Sequence, residues 1–176
     1  MRYMYDASIP PLEPPHWYAC AGYIGGDTPH VWTKAEWDAQ PTVKRLPIWT
    51  GAGRPDTEEA GQEDGGNILH ALRDLGVPAG VTVALDMETE VKPIYAETVG
   101  YALAINSYHL LIYGSFSYVT KYPTIFPSLW AADWSDNEQE AIDQAEGRIV
   151  AVQWRSAGEI GREFDMSLIE QNVPLW

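Results

Sequence analysis

One cysteine, Cys20, lies among 176 residues, so no internal disulfide can form, and its place in an apolar run marks it as a small core residue. No apolar run approaches the ~18 residues that span a bilayer as a helix. The N-terminal Met1-Arg2-Tyr3-Met4-Tyr5-Asp6 reaches an acid too early for a secretory signal. The expectation is cytoplasmic synthesis with no signal peptide and no membrane partner. Basic residues are scarce: eleven Lys and Arg stand against twenty-five Asp and Glu, a formal net charge of −14. Such a surface repels nucleic-acid phosphates and anionic membranes, which disfavours nucleic-acid binding. The four histidines, His16, His30, His70 and His109, show no paired ligand spacing, and one cysteine cannot build a thiolate centre, so neither a metal nor a cofactor is expected. There is no Gly-x-Ser-x-Gly elbow for a serine hydrolase, and Gly51-x-Gly53 lacks the third glycine of a dinucleotide site.

What the chain has in quantity is apolar and aromatic surface. Hydrophobic residues make up 45% of it, enough for one sizeable core, and residues 1–176 read as a single domain. Eight tryptophans and ten tyrosines can serve as flat platforms for sugar rings, although most aromatics must fill core whatever the function.

Val81-Thr82-Val83-Ala84-Leu85-Asp86-Met87-Glu88 has the composition of a buried strand, bounded by Pro78-Ala79-Gly80 and Lys92-Pro93. Alternation puts Asp86 and Glu88 on one face with Thr82 and Ala84, and Val83, Leu85 and Met87 on the other. The bulky face suits packing under helices. The small face suits the inside of a barrel whose mouth carries the acids. Two carboxylates at a strand's C-terminal end are what sugar hydrolysis needs: a proton donor beside a second acid that stabilises positive charge on the ring. The alternative is a solvent-exposed strand end in an acidic chain.

Seven further stretches read as strands: 2–8, 18–24, 45–50, 110–115, 128–134, 148–154 and 163–169. Helical patterns fall between several of them. Residues 33–40 make a short helix. Asp56 with Glu59 resembles a capping box opening a second helix, weakened by Gly61, Gly65 and Gly66 but carried by Ile68, Leu69, Leu72 and Leu75 to Gly76. A third begins at Pro93 and continues to about Tyr108, and residues 138–146 are the best of the later candidates. Eight strands interleaved with helices predict an α/β fold, a compact, mostly parallel (β/α) TIM-like barrel. Such barrels usually take ~250 residues, so several outer helices must be shortened or missing. Asp6 ends the first strand, Asp86 and Glu88 the fourth, and Asp165 lies in the eighth, so the barrel brings them to one mouth. Asp133 sits near the end of the sixth, facing either solvent or mouth.

Asp6-Ala7-Ser8, Leu85-Asp86-Met87-Glu88, Ile112-Tyr113-Gly114, Trp130-Ala131-Ala132-Asp133-Trp134, Gln153-Trp154 and Phe164-Asp165-Met166-Ser167 follow one another in an order and rough spacing that resembles glycoside hydrolase family 25, the lysozyme-like N-acetylmuramidases. The pattern is also similar to the related actinobacterial glycoside-hydrolase-like barrels. The resemblance implies that Glu88 is the general acid and that Asp86, Asp6 and Asp165 are its accompanying acids. It places Tyr113 and Gln153 at the substrate; Trp130, Trp134 and Trp154 either stack on sugars or pack in the core. The family's usual tryptophan soon after the first Asp-x-Ser is replaced here by Ile9-Pro10-Pro11. Because muramidase substrates carry a 2-acetamido group, one acid can polarise that amide in place of a protein nucleophile.

The resulting expectation is an enzyme, a peptidoglycan-degrading glycoside hydrolase cleaving β-1,4 bonds of cell-wall glycan. The resemblance gives it the setting of a phage lysin or a virion-associated protein that meets the wall after lysis or as part of the virion. The competing expectation is a catalytically inactive copy: a glycan-binding or virion structural module on the same barrel.

Overall fold

The computed structural model describes residues 1–176 apart from 43, 89–90, 134, 146 and 157–163. Eight strands, β1 (Arg2–Ala7), β2 (Ala19–Gly26), β3 (Lys44–Thr50), β4 (Thr82–Asp86), β5 (His109–Ser115), β6 (Leu129–Ala132), β7 (Ile149–Arg155) and β8 (Asp165–Ile169), close into a barrel in sequence order. Strands β1 to β7 are parallel neighbours, whereas β8 runs antiparallel to both β7 and β1. The reversal has a simple cause. A parallel return needs a crossover of about a dozen residues or more, and only 156–164 separate β7 from β8.

The outer layer is thin, as a chain of this length requires. Helices α1 (Lys34–Ala39), α2 (Glu58–Leu75), α3 (Pro93–Ile105), α4 (Phe116–Val119) and α5 (Glu138–Gln144) follow β2, β3, β4, β5 and β6 in turn. Only α2 and α3, of 18 and 13 residues, are long. Thr33 caps α1 in a reciprocal box with Glu36. The expected box at Asp56 and Glu59 is displaced. Thr57 caps α2 by accepting from Ala60 N, and Asp56 instead accepts the Tyr95 backbone N–H at 2.9 Å, tying the start of α2 to the first turn of α3. The α2 glycines are contact points. A Cβ on Gly61 would lie 2.6 Å from Thr98 Cβ, and one on Gly65 2.7 Å from Ala102 Cβ, so the helices approach closely because those side chains are missing.

The alternation in β4 organises two core layers. Val83, Leu85 and Met87 pack outward with Ile68, Leu72, Tyr95 and Val99 of the helices. Ala84 faces inward with Met4, Ala19, Ala21, Ile48 and Ala151. The inner alanines leave room for Tyr113 and Trp130, whose ring centroids lie 4.2 Å apart inside the barrel.

Candidate active site

The C-terminal ends of β1 to β7 form one mouth. Asp6 of β1 is in register with Asp165 of β8, and Asp86 of β4 with Tyr113 of β5. Asp165 reaches this end only because β8 is reversed: it opens its strand, and an eighth parallel strand would carry its first residue to the opposite end.

Hydrogen bonds knit the acids together across the barrel. Ser167 Oγ donates to Asp6 Oδ2 at 3.1 Å, and Gln153 Nε2 to Asp6 Oδ1 at 3.4 Å. The Tyr113 hydroxyl donates to Gln153 Oε1 at 2.6 Å and lies 3.3 Å from Glu88 Oε1. A chain of three contacts therefore joins Asp6, Gln153, Tyr113 and Glu88. On the other side of the mouth, the Tyr23 hydroxyl donates to Asp86 Oδ2 at 2.8 Å.

The environments of these acids differ. Asp6 and Asp86 are buried, at 6% and 5% exposure, while Glu88 is exposed and Asp165 half-buried. Burial raises the Asp6 carboxyl well above its ordinary range, Asp165 adds to the effect, and the Ser167 bond opposes it. Burial, with the neighbouring Glu88 charge, pushes Asp86 up to about 7 against the Tyr23 bond and the Glu88 backbone N–H. The Asp86 Oδ1 atom is buried without a hydrogen-bond partner, so a negative charge is only partly compensated there. Burial among the acids also holds the Tyr23 and Tyr113 hydroxyls above their usual range, keeping both as donors.

Glu88 reaches Tyr113 because of Gly114. A Cβ at Gly114 would stand 2.7 Å from Met87 O and 3.3 Å from Glu88 Cα, so only glycine lets the end of β4 lie this close to β5. The Met87 N–H donates to Tyr113 O at 2.7 Å and fixes that approach.

Of the aromatic candidates, Tyr113 and Gln153 lie in the network. Trp130 is fully enclosed beside Tyr113. Trp154 lies on the other side of the barrel wall, in the outer layer, with the Arg155 guanidinium 4.7 Å over its ring. Trp134 lies outside the described residues. Asp133 is partly buried and accepts from Gln144 Nε2 of α5 at 2.5 Å. Among the described residues, no group of three His, Cys, Asp or Glu is placed to hold a metal ion. Tyr23 and Ser167 are site residues that the sequence reading did not assign. Alternation carried the signal for both: Tyr23 shares a face of β2 with Ala19 and Ala21, and Ser167 shares one of β8 with Asp165.

No protein-family model matches this chain, and no curated protein does. Solved structures do. A crystal structure of an uncharacterized B. stearothermophilus protein superposes with a TM-score of 0.77 over 99% of both chains at 16% identity. The Mycobacterium tuberculosis Tat-secreted protein Rv2525c, in complex with L-tartrate, gives a TM-score of 0.70 over 99% of this chain and 98% of its own at 11% identity. The CTP1L endolysin gives 0.71 over 98% of this chain and 68% of its own at 14% identity. At these identities the likeness is one of fold.

Proposed function

We propose that the barrel mouth is the active site of a cell-wall glycoside hydrolase that cleaves β-1,4 bonds in peptidoglycan, in the manner of a muramidase. The observation that carries this reading is the convergence of carboxyls on one barrel mouth: Asp86 and Glu88 leave the end of β4 together, and Glu88 is joined to Asp6 through Tyr113 and Gln153. The fold likeness to an endolysin supports the same substrate class.

In this reading Glu88, at the solvent side of the mouth, protonates the glycosidic oxygen as the C–O bond breaks. Asp86 accepts the N–H of the substrate's 2-acetamido group, and the amide oxygen bonds to the anomeric carbon as the leaving group departs. Water then attacks that carbon, breaking its bond to the amide oxygen and regenerating the acetamido group, and gives its proton to the Glu88 carboxylate, restoring the acid. Tyr113 orients Glu88, Gln153 and Ser167 hold Asp6 in place, and Asp165 adds negative potential opposite the developing positive charge.

The test is reducing-end release from purified glycan strands by wild type and Glu88→Gln at matched thermal stability. Glu88→Gln keeps the size of the side chain but has no transferable proton, so turnover falls by roughly 10²–10⁴. Equal release from both removes Glu88 from the mechanism. No release by wild type on several wall types would make the barrel a binding or structural module.

A further inference from the structure

Helix α3 is apolar on two opposite faces. Tyr95, Ala96, Val99 and Leu103 are buried against the barrel and α2, as an outer helix of such a fold requires. The opposite face has no such reason to be apolar, yet Ile94, Tyr101 and Ile105 are 51%, 69% and 65% exposed. Ile125, on the chain beside α3, is 59% exposed. Each would be more soluble as a polar residue, in a chain that is otherwise strongly acidic.

The relief of this face is specific. The ridge of α3 stands between two grooves of similar size. One, of about 690 Å³, runs between α3 and α2. The other, of about 680 Å³, runs from α3 across Ile125 and Phe126 to the starts of the strands. Tyr101 and Glu97 line both. A ridge flanked by grooves on both sides lets two copies meet about a two-fold axis, with each copy's ridge lying over the other's groove.

We infer that this face is the contact between two copies of the chain, with their α3 helices crossing antiparallel near Tyr101. The area is sufficient. At their exposures the four side chains present about 500 Å² per copy, so two copies bury about 1,000 Å² from these anchors, the threshold a candidate interface must clear, before any rim is counted. The charge is tolerable. Glu97 is the one charged residue of α3, and a crossing four residues away separates the two Glu97 positions by about 12 Å along the axes, beyond the ~8 Å screening length at physiological salt; Glu58, which also lines the α2 groove, stands at the first residue of α2. No residue of the acidic mouth lines either groove. Both mouths therefore remain open, and a polymer of repeating sugars can be engaged at two points at once, which strengthens attachment without any new contact in either mouth.

Sedimentation equilibrium across ~1–200 µM, with single substitutions Tyr101→Glu and Ile105→Glu, tests the assignment. Each substitution enters a two-fold interface twice, so each should raise the dimer Kd by at least about 100-fold. Neither should move the melting temperature of the monomer by more than a few degrees, because both side chains are exposed. A Tyr101→Cys variant gives an arm that survives a folding failure in either. Cys20 is buried, so air oxidation should yield a disulfide dimer through position 101. A wild type that stays monomeric over the whole range overturns the inference and leaves the face to a different protein. A dimer that both Glu substitutions leave intact, or Tyr101→Cys chains that do not cross-link while dimeric, overturns it by placing the contact elsewhere.

Discussion

Asp86→Asn should make this protein more stable at mildly alkaline pH while slowing any turnover at the mouth. A buried carboxyl that titrates at about 7 in the fold and near ~3.9 in an unfolded chain costs stability when it ionises. Because the folded value is the raised one, its contribution is fully present below about pH 4 and is lost as pH rises through about 7. Roughly three pH units at ~1.4 kcal/mol each give a loss of about 4 kcal/mol by pH 8. Asparagine cannot ionise. Its oxygen keeps the Tyr23 bond, but its amide occupies the place of the unpartnered Oδ1 and costs about 1–3 kcal/mol. The net expectation is a gain of about 1–3 kcal/mol at pH 8 and a small loss at pH 4.5. Urea unfolding of both proteins at the two pH values reads this directly. Buried Asp6 drives wild-type stability in the same direction, so the decisive quantity is the difference in pH slope between the two proteins. Equal slopes would refute the raised midpoint of the buried Asp86.

Tyr23→Phe removes a hydrogen bond that favours ionised Asp86, so the Asp86 midpoint should climb by about one pH unit, seen as an upward move of the acid limb of the kcat/KM profile; an unmoved limb separates Tyr23 from the chemistry. Gly114→Ala puts a methyl group 2.7 Å from Met87 O and should lower kcat/KM at least tenfold, with a stability loss of about 1–3 kcal/mol; a variant crystal structure with Glu88 undisplaced would contradict this. With a net charge of −14, release from anionic walls should rise as salt is added from the lowest ionic strength, through screening of repulsion. A steady fall would reveal a basic docking patch.

How far the sequence could be read depended on whether a residue's place followed from its own strand. The alternation within 81–88 separates bulky outward from small inward residues, and the two core layers divide β4 as that pattern predicts. Taken further, the same rule would have told Gln153 from Trp154: adjacent strand residues point to opposite sides of the wall, and Gln153 alone joins the mouth network. It would also have marked Tyr23. What could not be read locally was set by other parts of the chain. The direction of β8 decides the level of Asp165, and α3 decides that Asp56 bonds Tyr95 while Thr57 caps α2. The glycines of α2 carry a helix-propensity penalty in isolation, and only the proximity of Thr98 and Ala102 shows their use.

The closure of β1 on β8 fixes the order in which this molecule can become competent. Asp6 takes its Ser167 partner from 161 residues along the chain, and Arg2 pairs with Ile169. A ribosome must therefore finish nearly the whole chain before the first acid has its surroundings. Contacts of such long separation form slowly, and until they do, β1 and β7 remain open edges that invite mispairing with other chains. Clipping a few residues from the start of β1 or from within β8 would reopen the same seam. Synthesis, folding and the readiness of the mouth are thereby coupled, and a nascent or trimmed chain carries the acids without the arrangement that makes them useful.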